Sequence, residues 1–114
     1  MRELVYLAGP YRGRVRHNIG IAGMWAAQCA ATGVDFICPH LNSAHMSEGD
    51  IPDAAPQFFL DMDINILSRC DVLALLPGWE QSAGTLAEKA FAEAHGIPVY
   101  EVADYLKRVQ EARQ

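Results

Sequence analysis

Short apolar runs alternate along the chain with longer segments of helical periodicity. The apolar runs predict four strands, at residues 3–8, 34–38, 71–76 and 97–101. The segments after them predict helices at residues 18–32, 54–69, 83–95 and 103–112, with Gly33 and Gly96 as stop signals and Ser82 as an N-cap. This order is typical of a parallel sheet covered by helices on both faces.

Three loops follow the carboxyl ends of the first three predicted strands. In a parallel sheet, ligands bind at that edge, where the order of the strands reverses. The stretch 39–53 is the longest run of turn-forming residues, and a loop of this length in a small domain is more often functional than idle. We expect a ligand crevice formed by residues 9–14, the residues from 40 onward, and residues 77–84.

The segment 54–69 carries an aspartate inside its apolar arc. On a helical wheel, Asp63 lies near the middle of an apolar arc about 240° wide, whereas Asp61 lies on the polar side. A carboxylate in such a position loses hydration and needs a partner or a function. Two interpretations stay open: Asp63 caps or pairs locally, or it is a functional acid. The width of the arc also indicates that one face meets a second subunit.

The segment 83–95 places a second carboxylate at the edge of an apolar face. That face is predicted to consist of alanines and one aromatic residue, namely Ala83, Ala87, Ala90, Phe91 and Ala94. Glu88 lies at its boundary, on the same side as Gly84, whose missing side chain would leave space for a ligand. The alternative is an ordinary boundary glutamate of a surface helix. Two half-buried carboxylates beside one crevice suit acid–base or nucleophilic chemistry, such as cleavage of a glycosidic bond.

The loops contain residues able to bind an anion or a base. Gly9 and Gly13 would let backbone N–H groups approach a ligand, and Arg12 can form paired hydrogen bonds with a phosphate. Ser82 adds a hydroxyl at a positive helix end, although its position also suits a simple N-cap. Trp79 suits either stacking on a base or filling the domain interior.

Composition narrows the class of protein. The 114 residues predict one domain, 1–114, and the 51% of hydrophobic residues exclude a mainly disordered chain. The net charge of −5, without a broad basic face, argues against a nucleic-acid polymer as partner. The chain has three cysteines, Cys29, Cys38 and Cys70, an odd number without paired spacing, which predicts buried reduced thiols. With no signal peptide and no apolar run near 18 residues, we expect a cytoplasmic protein without a membrane partner.

Several other chemistries are disfavoured by the motifs. Cys38, His40 and His45 match no familiar zinc spacing, so no metal is expected. The chain has neither GxGxxG nor GxxxxGK[ST], which argues against dinucleotide-binding and P-loop assignments. It also lacks the GxSxG elbow of a serine hydrolase. We therefore expect no cofactor.

Two segments resemble the nucleoside 2-deoxyribosyltransferase-like superfamily: YLAGPYRG near the start and DMDINILSRCDVLALLPGWEQSAGTLAEKAFAEAHGIPV later. The closest likeness is to a short branch with the pattern cD…LPGW..S.G...E...A...G.PV. The resemblance covers nearly the whole chain and is weakest at residues 41–57 and in the last helix. It implies a flavodoxin-like (Rossmann-like) three-layer α/β/α sandwich with a parallel sheet of four to five strands. It also implies a homodimer or higher homo-oligomer with sites near the subunit interfaces.

The resemblance also implies a role for individual residues. Glu88 takes the place of the family's glutamate nucleophile, Asp63 that of the aspartate beside the ribose and base, and Tyr6 that of the first-strand tyrosine. In the related 2′-deoxynucleoside 5′-phosphate N-hydrolases, a glycine-rich loop and a serine bind the 5′-phosphate, and they correspond here to GPYRGR, with its Arg12, and to Ser82. The further substrate-binding candidates are Gly9, Gly13, His40, Asp71, Trp79 and Gly84. Pro10 departs from the family loop and removes one N–H donor.

Two main hypotheses about function follow. In the first, the protein is an N-glycosidase or deoxyribosyltransferase acting on a nucleoside or its 5′-monophosphate: Glu88 attacks C1′, Asp63 protonates or orients the base, and Tyr6 orients Glu88. In the second, the same crevice is a non-catalytic nucleotide-binding module. A third, purely structural role predicts no stabilisation by nucleotides.

Overall fold

The computed structural model describes residues 2–42 and 55–113. In these ranges the strands are β1 (Leu4–Ala8), β2 (Asp35–Ile37), β3 (Val72–Leu75) and β4 (Val99–Glu101). The helices are α1 (Val15–Thr32), α2 (Pro39–Asn42), α3 (Ala55–Leu67), α4 (Ala83–Ala94) and α5 (Val102–Ala112), and a 3₁₀ turn (Trp79–Gln81) precedes α4.

The four strands form one all-parallel sheet in the order β2-β1-β3-β4. In this register Tyr6 of β1 lies between Ile37 of β2 and Leu73 of β3. The chain moves outward in one direction from β1 to β2 and in the other from β3 to β4. The switch point therefore lies between β1 and β3, where parallel sheets open a ligand crevice at their carboxyl edge.

Side-chain alternation along β1 divides the core into two layers. Val5 and Leu7 pack with residues of α1 and α5 on one face of the sheet. Tyr6 and Ala8 pack with residues of α3 and α4 on the other face. Because successive side chains of a strand point to opposite faces, an apolar run such as LVYLA forms a strand that is buried on both sides. The predicted flavodoxin-like three-layer α/β/α sandwich is confirmed.

The predicted strands and helices all occur, with shifts of up to three residues at their ends. The largest shift is at α1, which begins at Val15 rather than at residue 18. Gly33 ends this helix in the left-handed conformation, at φ 77°, which glycine adopts without steric cost. The predicted loop 39–53 instead begins with the short helix α2, and the remainder of that loop lies outside the described residues.

The three cysteines are buried free thiols, as the sequence predicts. Burial raises the pKa of the Cys29 and Cys70 thiols to about 11, so both are protonated at neutral pH. In the described part of the chain, no helix has the length and the hydropathy needed to cross a membrane.

Candidate active site

The loops that follow β1 and β3 are packed against each other at the switch point. A Cβ added to Gly9 would lie 2.6 Å from the Cβ of Leu76, directly after β3. A Cβ added to Gly78 would lie 3.2 Å from the Cγ of Pro10, and Gly78 adopts a φ of 88°. Glycine is therefore required at position 9 for the close approach of the two chains and at position 78 for the turn.

The loop after β2 joins the other two through an aromatic contact. The rings of Tyr11 and His40 have centroids 5.3 Å apart and are tilted by 51°. The segments beginning at Gly9, His40 and Pro77 thus meet at one edge of the sheet, as the strand order predicts.

Tyr6 and Glu88 form a buried hydrogen bond between the sheet and α4. The Tyr6 hydroxyl donates to Oε2 of Glu88, and the two side chains are 0% and 6% exposed. The two residues are 82 positions apart in the chain, so only the fold brings them together.

The predicted buried face of α4 is wrong. The residues that α4 buries are Thr85, Glu88 and Ala92, whereas Ala83, Ala87, Ala90 and Ala94 are exposed. Glu88 therefore lies at the centre of the buried face, not at its edge. The helical wheel fails here because alanine is tolerated in water as well as in a core. The Tyr6 hydroxyl supplies the partner that allows a carboxylate to be buried.

Asp63 of α3 lies within electrostatic range of this hydrogen bond. It is half-buried, as its position within the apolar arc indicates, and its charge acts on both Tyr6 and Glu88. In residues 2–42 and 55–113 the ion pairs join Arg2 to Asp35 and Lys89 to Glu93, and neither includes Asp63 or Glu88. The interpretation of Asp63 as a locally paired structural residue therefore gains no support from these ion pairs.

The surroundings of the two carboxyl groups raise both of their pKa values. Burial raises the pKa of Glu88 to about 7, a rise that the hydrogen bond from Tyr6 reduces and the charge of Asp63 increases. Burial also raises the pKa of Asp63 to about 6. The pKa of Tyr6 is raised by its burial and then by the Glu88 charge, so its hydroxyl stays protonated. The carboxyl pair can therefore hold and exchange a proton near neutral pH.

Cys38 follows β2 and is coupled to the two carboxyl groups, and His40 lies two residues further on, against Tyr11. The Cys38 thiol is within electrostatic range of Glu88 and Asp63, and burial raises its pKa. Burial lowers the pKa of His40 to about 4, so its ring is neutral at pH 7. Nδ1 of His40 is buried and has no hydrogen-bond partner among the described residues. A neutral imidazole with a free ring nitrogen suits recognition of a polar ligand group.

Ser82 is the N-cap of α4, as predicted. Its Oγ accepts hydrogen bonds from the backbone N–H of Thr85, at 3.2 Å, and from the Thr85 hydroxyl, at 2.9 Å. Gly84 on the first turn is exposed, and a Cβ built on it would have nothing within 4 Å. The surface beside the start of α4 is therefore open, as it must be if Gly84 is to leave space for a ligand.

The loop between β1 and α1 is held by a residue that the sequence did not single out. Nδ2 of Asn18 donates to the carbonyl oxygens of Tyr11 and Arg12, at 3.1 and 3.4 Å. Arg12 is exposed, and Gly13 adopts a φ of 89° that favours glycine. The sequence did contain a signal for this role, because Asn18 is a polar residue on the first turn of α1, directly after a glycine-bearing loop.

Trp79 is turned towards β4 and the outer side of α4. Its Nε1 donates to Oε1 of Glu101 at 3.4 Å, and Nζ of Lys89 lies 5.7 Å from the centroid of its ring. The half-buried ring also packs on the core layer below α3 and α4. These contacts favour the interpretation in which Trp79 fills the domain rather than stacking on a base.

The structure does not bring Asp71 to this site. Its Oδ2 accepts a hydrogen bond from the backbone N–H of Leu4 at 2.8 Å. Asp71 precedes β3, and Leu4 begins β1, so this contact is at the amino edge of the parallel sheet. The substrate-binding role predicted for Asp71 is therefore wrong, because a ligand at the carboxyl edge lies at the other end of the strands.

A surface recess of about 450 Å³ lies at the amino edge of the sheet, and Arg2, Gly33 and Asp35 help to line it.

The described residues contain no group of three or more histidine, cysteine, aspartate or glutamate side chains that could hold a metal ion. His45, one of the three residues weighed for a zinc site, lies outside the described ranges.

Comparison with known proteins gives one family match. The model of a family described as a domain of unknown function, DUF4406, matches residues 3–101 and so includes every residue of the site described above. A search of curated proteins found no match to the chain.

Proposed function

Because the chain belongs to the DUF4406 family, whose description states no activity, we propose a function from the chemistry of its own site: cleavage of the N-glycosidic bond of a nucleoside or nucleoside 5′-monophosphate. Glu88 is the nucleophile and Asp63 the acid. On the motifs quoted above, we also propose that the chain is related to the nucleoside 2-deoxyribosyltransferase-like superfamily.

One observation carries this proposal, namely the hydrogen bond from the buried Tyr6 hydroxyl to Glu88, with the charge of Asp63 acting on both groups. Burying a carboxylate is costly, and two nearby carboxyl groups increase that cost by mutual repulsion. An arrangement that is unfavourable for folding but positions a nucleophile beside an acid is typical of a catalytic site. Glycoside-cleaving enzymes use a pair of carboxyl groups in these two roles.

Near neutral pH the two carboxyl groups share a proton that lies mainly on Glu88, the group with the higher pKa. The reaction begins from the other form, in which Asp63 holds the proton and Glu88 is the carboxylate. A Glu88 oxygen forms a bond to C1′ of the sugar while the bond between C1′ and the base nitrogen breaks. The electron pair of that bond stays on the base, which takes the proton from Asp63. Tyr6, by donating its hydroxyl proton to Oε2, fixes the orientation of the attacking group.

In the second half of the reaction, the ester between Glu88 and the sugar is broken. Water attacks C1′ in a hydrolase and a second base does so in a transferase, while the ionised Asp63 accepts the proton that this nucleophile loses. Glu88 leaves as a carboxylate, and the proton states of both residues are restored. We expect a bell-shaped dependence of kcat/KM on pH, with limbs that report the coupled pair.

The substrate proposed is small and carries a phosphate. Arg12 in the loop after β1 and Ser82 at the start of α4 both lie at the carboxyl edge of the sheet, and both side chains can donate to phosphoryl oxygens.

A homo-oligomer is proposed as well. The large apolar side chains of Phe58 on α3 and Leu86 on α4 are 49% and 44% exposed, which leaves apolar surface for a second copy of the chain. Measurement of the molar mass in solution by light scattering tests this, and a strictly monomeric protein contradicts it.

The test of the proposed activity is release of a free base. Purified protein is incubated with a panel of nucleosides and their 5′-monophosphates, and the base is measured by chromatography. We expect release by the wild type and loss of release in Glu88→Gln. The matched control is Glu93→Gln, which removes an exposed carboxylate from the same helix and should leave the rate unchanged.

Two outcomes would contradict the proposal. A Glu88→Gln variant that releases base as fast as the wild type excludes Glu88 as the nucleophile. A wild type that is stabilised by a nucleotide but releases no base on long incubation supports the alternative function of a nucleotide-binding module.

A further inference from the structure

Three arginines are grouped on the surface where the loop after β1 enters α1. Arg12, Arg14 and Arg16 are exposed, as are all the residues from 12 to 17. They lie at the carboxyl edge of the sheet, because α1 begins directly after the loop that follows β1. The reaction proposed above gives no role to Arg14 or Arg16.

This basic cluster has no acidic neighbour along the chain. Residues 4–34 contain no aspartate or glutamate, although the chain as a whole carries a net charge of −5. Neither Arg14 nor Arg16 takes part in an ion pair with another described residue. Positive charge is therefore concentrated, without neutralising groups of its own, at one rim of the candidate site.

The positions of Arg14 and Arg16 are unfavourable for folding. Arg14 is the N-cap of α1 and Arg16 lies in its first turn, which contains no acidic residue. Because the N-terminus of a helix carries partial positive charge, this 18-residue helix repels both guanidinium groups. The two like charges also repel each other. A bound anion would relieve both kinds of repulsion.

The cluster fits an elongated small anion better than a nucleic-acid polymer. A polymer needs a broad cationic face, whereas the basic residues here occupy one short segment of an acidic chain. A guanidinium group binds phosphoryl oxygens through paired N–H donors, so successive arginines suit successive phosphate groups. On the proposed function the first phosphate lies at the loop after β1, and a longer phosphate chain can continue past it along the first turn of α1.

We propose that Arg14 and Arg16 bind the second and third phosphates of a nucleoside 5′-di- or triphosphate, so that the site prefers a nucleotide with a phosphate chain to a monophosphate. The inference rests on the proposed function and deepens it by naming the substrate class.

The test is isothermal titration calorimetry in the Glu88→Gln background, in which the proposed reaction cannot proceed during the titration. The double variant Arg14→Gln/Arg16→Gln removes the two arginines. The matched control is Arg69→Gln/Lys107→Gln, which removes the same charge from two exposed residues outside the cluster.

Each protein is titrated with the 5′-mono- and triphosphates of the four common ribonucleosides and of their 2′-deoxy forms, and with inorganic tripolyphosphate. The buffer contains no divalent cation, since Mg²⁺ would bind to the phosphate chain. Base release from the same nucleotides by the wild type is measured separately.

With the cluster intact, the triphosphate of at least one nucleoside should bind roughly tenfold more tightly than its monophosphate, the effect of two exposed ion pairs. Arg14→Gln/Arg16→Gln should bind the two nucleotides equally, and the control should keep the tenfold ratio. Without nucleotide, Arg14→Gln/Arg16→Gln should unfold at a higher temperature than the control, because the repulsion at the start of α1 is removed.

Four results overturn the inference. The first is a triphosphate that binds no more tightly than the monophosphate. The second is a control that loses the ratio as fully as Arg14→Gln/Arg16→Gln, and the third is a double variant that unfolds at a lower temperature than the control. The fourth is tripolyphosphate that binds as tightly as the nucleoside triphosphate, because the cluster then recognises phosphate without a nucleoside.

Base release separates this inference from the proposed function. A wild type that releases base but shows no preference for the triphosphate overturns the inference and leaves the reaction standing. A protein that prefers the triphosphate through Arg14 and Arg16 but releases no base overturns the reaction, and the inference then describes the ligand of a nucleotide-binding module.

Discussion

The buried carboxyl group of Glu88 predicts that replacing it with glutamine stabilises the protein at neutral and alkaline pH. Burial raises the pKa of Glu88 from 4.5 to about 7. The folded protein therefore holds the proton more tightly than the unfolded chain does. As the pH rises through this range the unfolded chain loses its proton first, and the free energy of unfolding falls.

The size of this loss follows from the same pKa values. A difference of one pKa unit corresponds to about 1.4 kcal/mol, so the rise at Glu88 corresponds to a loss of about 3 kcal/mol between pH 4.5 and 8. Glutamine has nearly the same shape, accepts the Tyr6 hydroxyl through its amide oxygen, and carries no proton to lose. The loss should therefore be absent in Glu88→Gln.

The assay is urea unfolding, followed by circular dichroism, at pH 5, 6, 7 and 8. The quantity of interest is the difference in unfolding free energy between Glu88→Gln and the wild type, because groups common to both proteins cancel in it. This difference should grow in favour of the variant by about 2.5 kcal/mol between pH 5 and pH 8, with unchanged m-values.

The control is again Glu93→Gln on the exposed side of α4. It removes the same charge from the same helix, but its carboxylate is 58% exposed and pairs with Lys89. The difference in unfolding free energy between Glu93→Gln and the wild type should stay nearly constant with pH. If Glu88→Gln also gives a constant difference, burial does not hinder ionisation of Glu88, and the reasoning from its surroundings is refuted.

Three further outcomes are expected. Tyr6→Phe removes the hydrogen bond that lowers the pKa of Glu88. The part of the pH profile of kcat/KM that reports Glu88 ionisation should therefore move to higher pH, and a profile that stays in place contradicts this. Burial lowers the pKa of His40 from 6.5 to about 4, so His40 should contribute a loss of stability as the pH falls from 6.5 to 4, opposite in sign to the contributions of Glu88 and Asp63. His40→Gln should remove about 3 kcal/mol of that loss, measured by urea unfolding. Gly9→Ala should lower the free energy of unfolding by roughly 1–3 kcal/mol, because its Cβ clashes with the chain after β3. Gly20→Ala, whose Cβ would meet nothing within 4 Å inside α1, should raise the free energy of unfolding by roughly 0.5–1 kcal/mol. Equal effects of the two substitutions in urea unfolding would contradict both predictions.

Strand order and local pattern were sufficient to predict where the loops meet. Gly9 follows β1 directly and His40 lies three residues after the end of β2, and parallel strands bring such positions to one edge. Asp63 was also found from local pattern, because an aspartate inside an apolar arc is visible on a helical wheel. Such features depend on the sequence near each residue and on the handedness and order of the elements.

Features that depend on distant partners were predicted poorly. The burial of Glu88 depends on the Tyr6 hydroxyl, 82 residues away, and an alanine-rich helix does not show which of its faces is buried. Asp71 was carried over as a substrate-binding residue with the resemblance, although the predicted strand 71–76 already places it at the amino end of that strand. Asn18 and Thr85 were missed for a different reason: their hydrogen-bond partners are only seven and three positions away, but the contacts depend on the conformation of a loop and of a helix cap.

The contact of Gly9 with Leu76 has a consequence for which substitutions this edge of the sheet can accept. The loops after β1 and β3 cannot separate or exchange small residues for large ones without disturbing both strands. Substitutions at this edge must therefore leave the shared backbone intact and change the exposed side chains beside it, at Arg12 and Arg14. The edge thus combines a backbone contact that tolerates no added atom with a surface that is open to change.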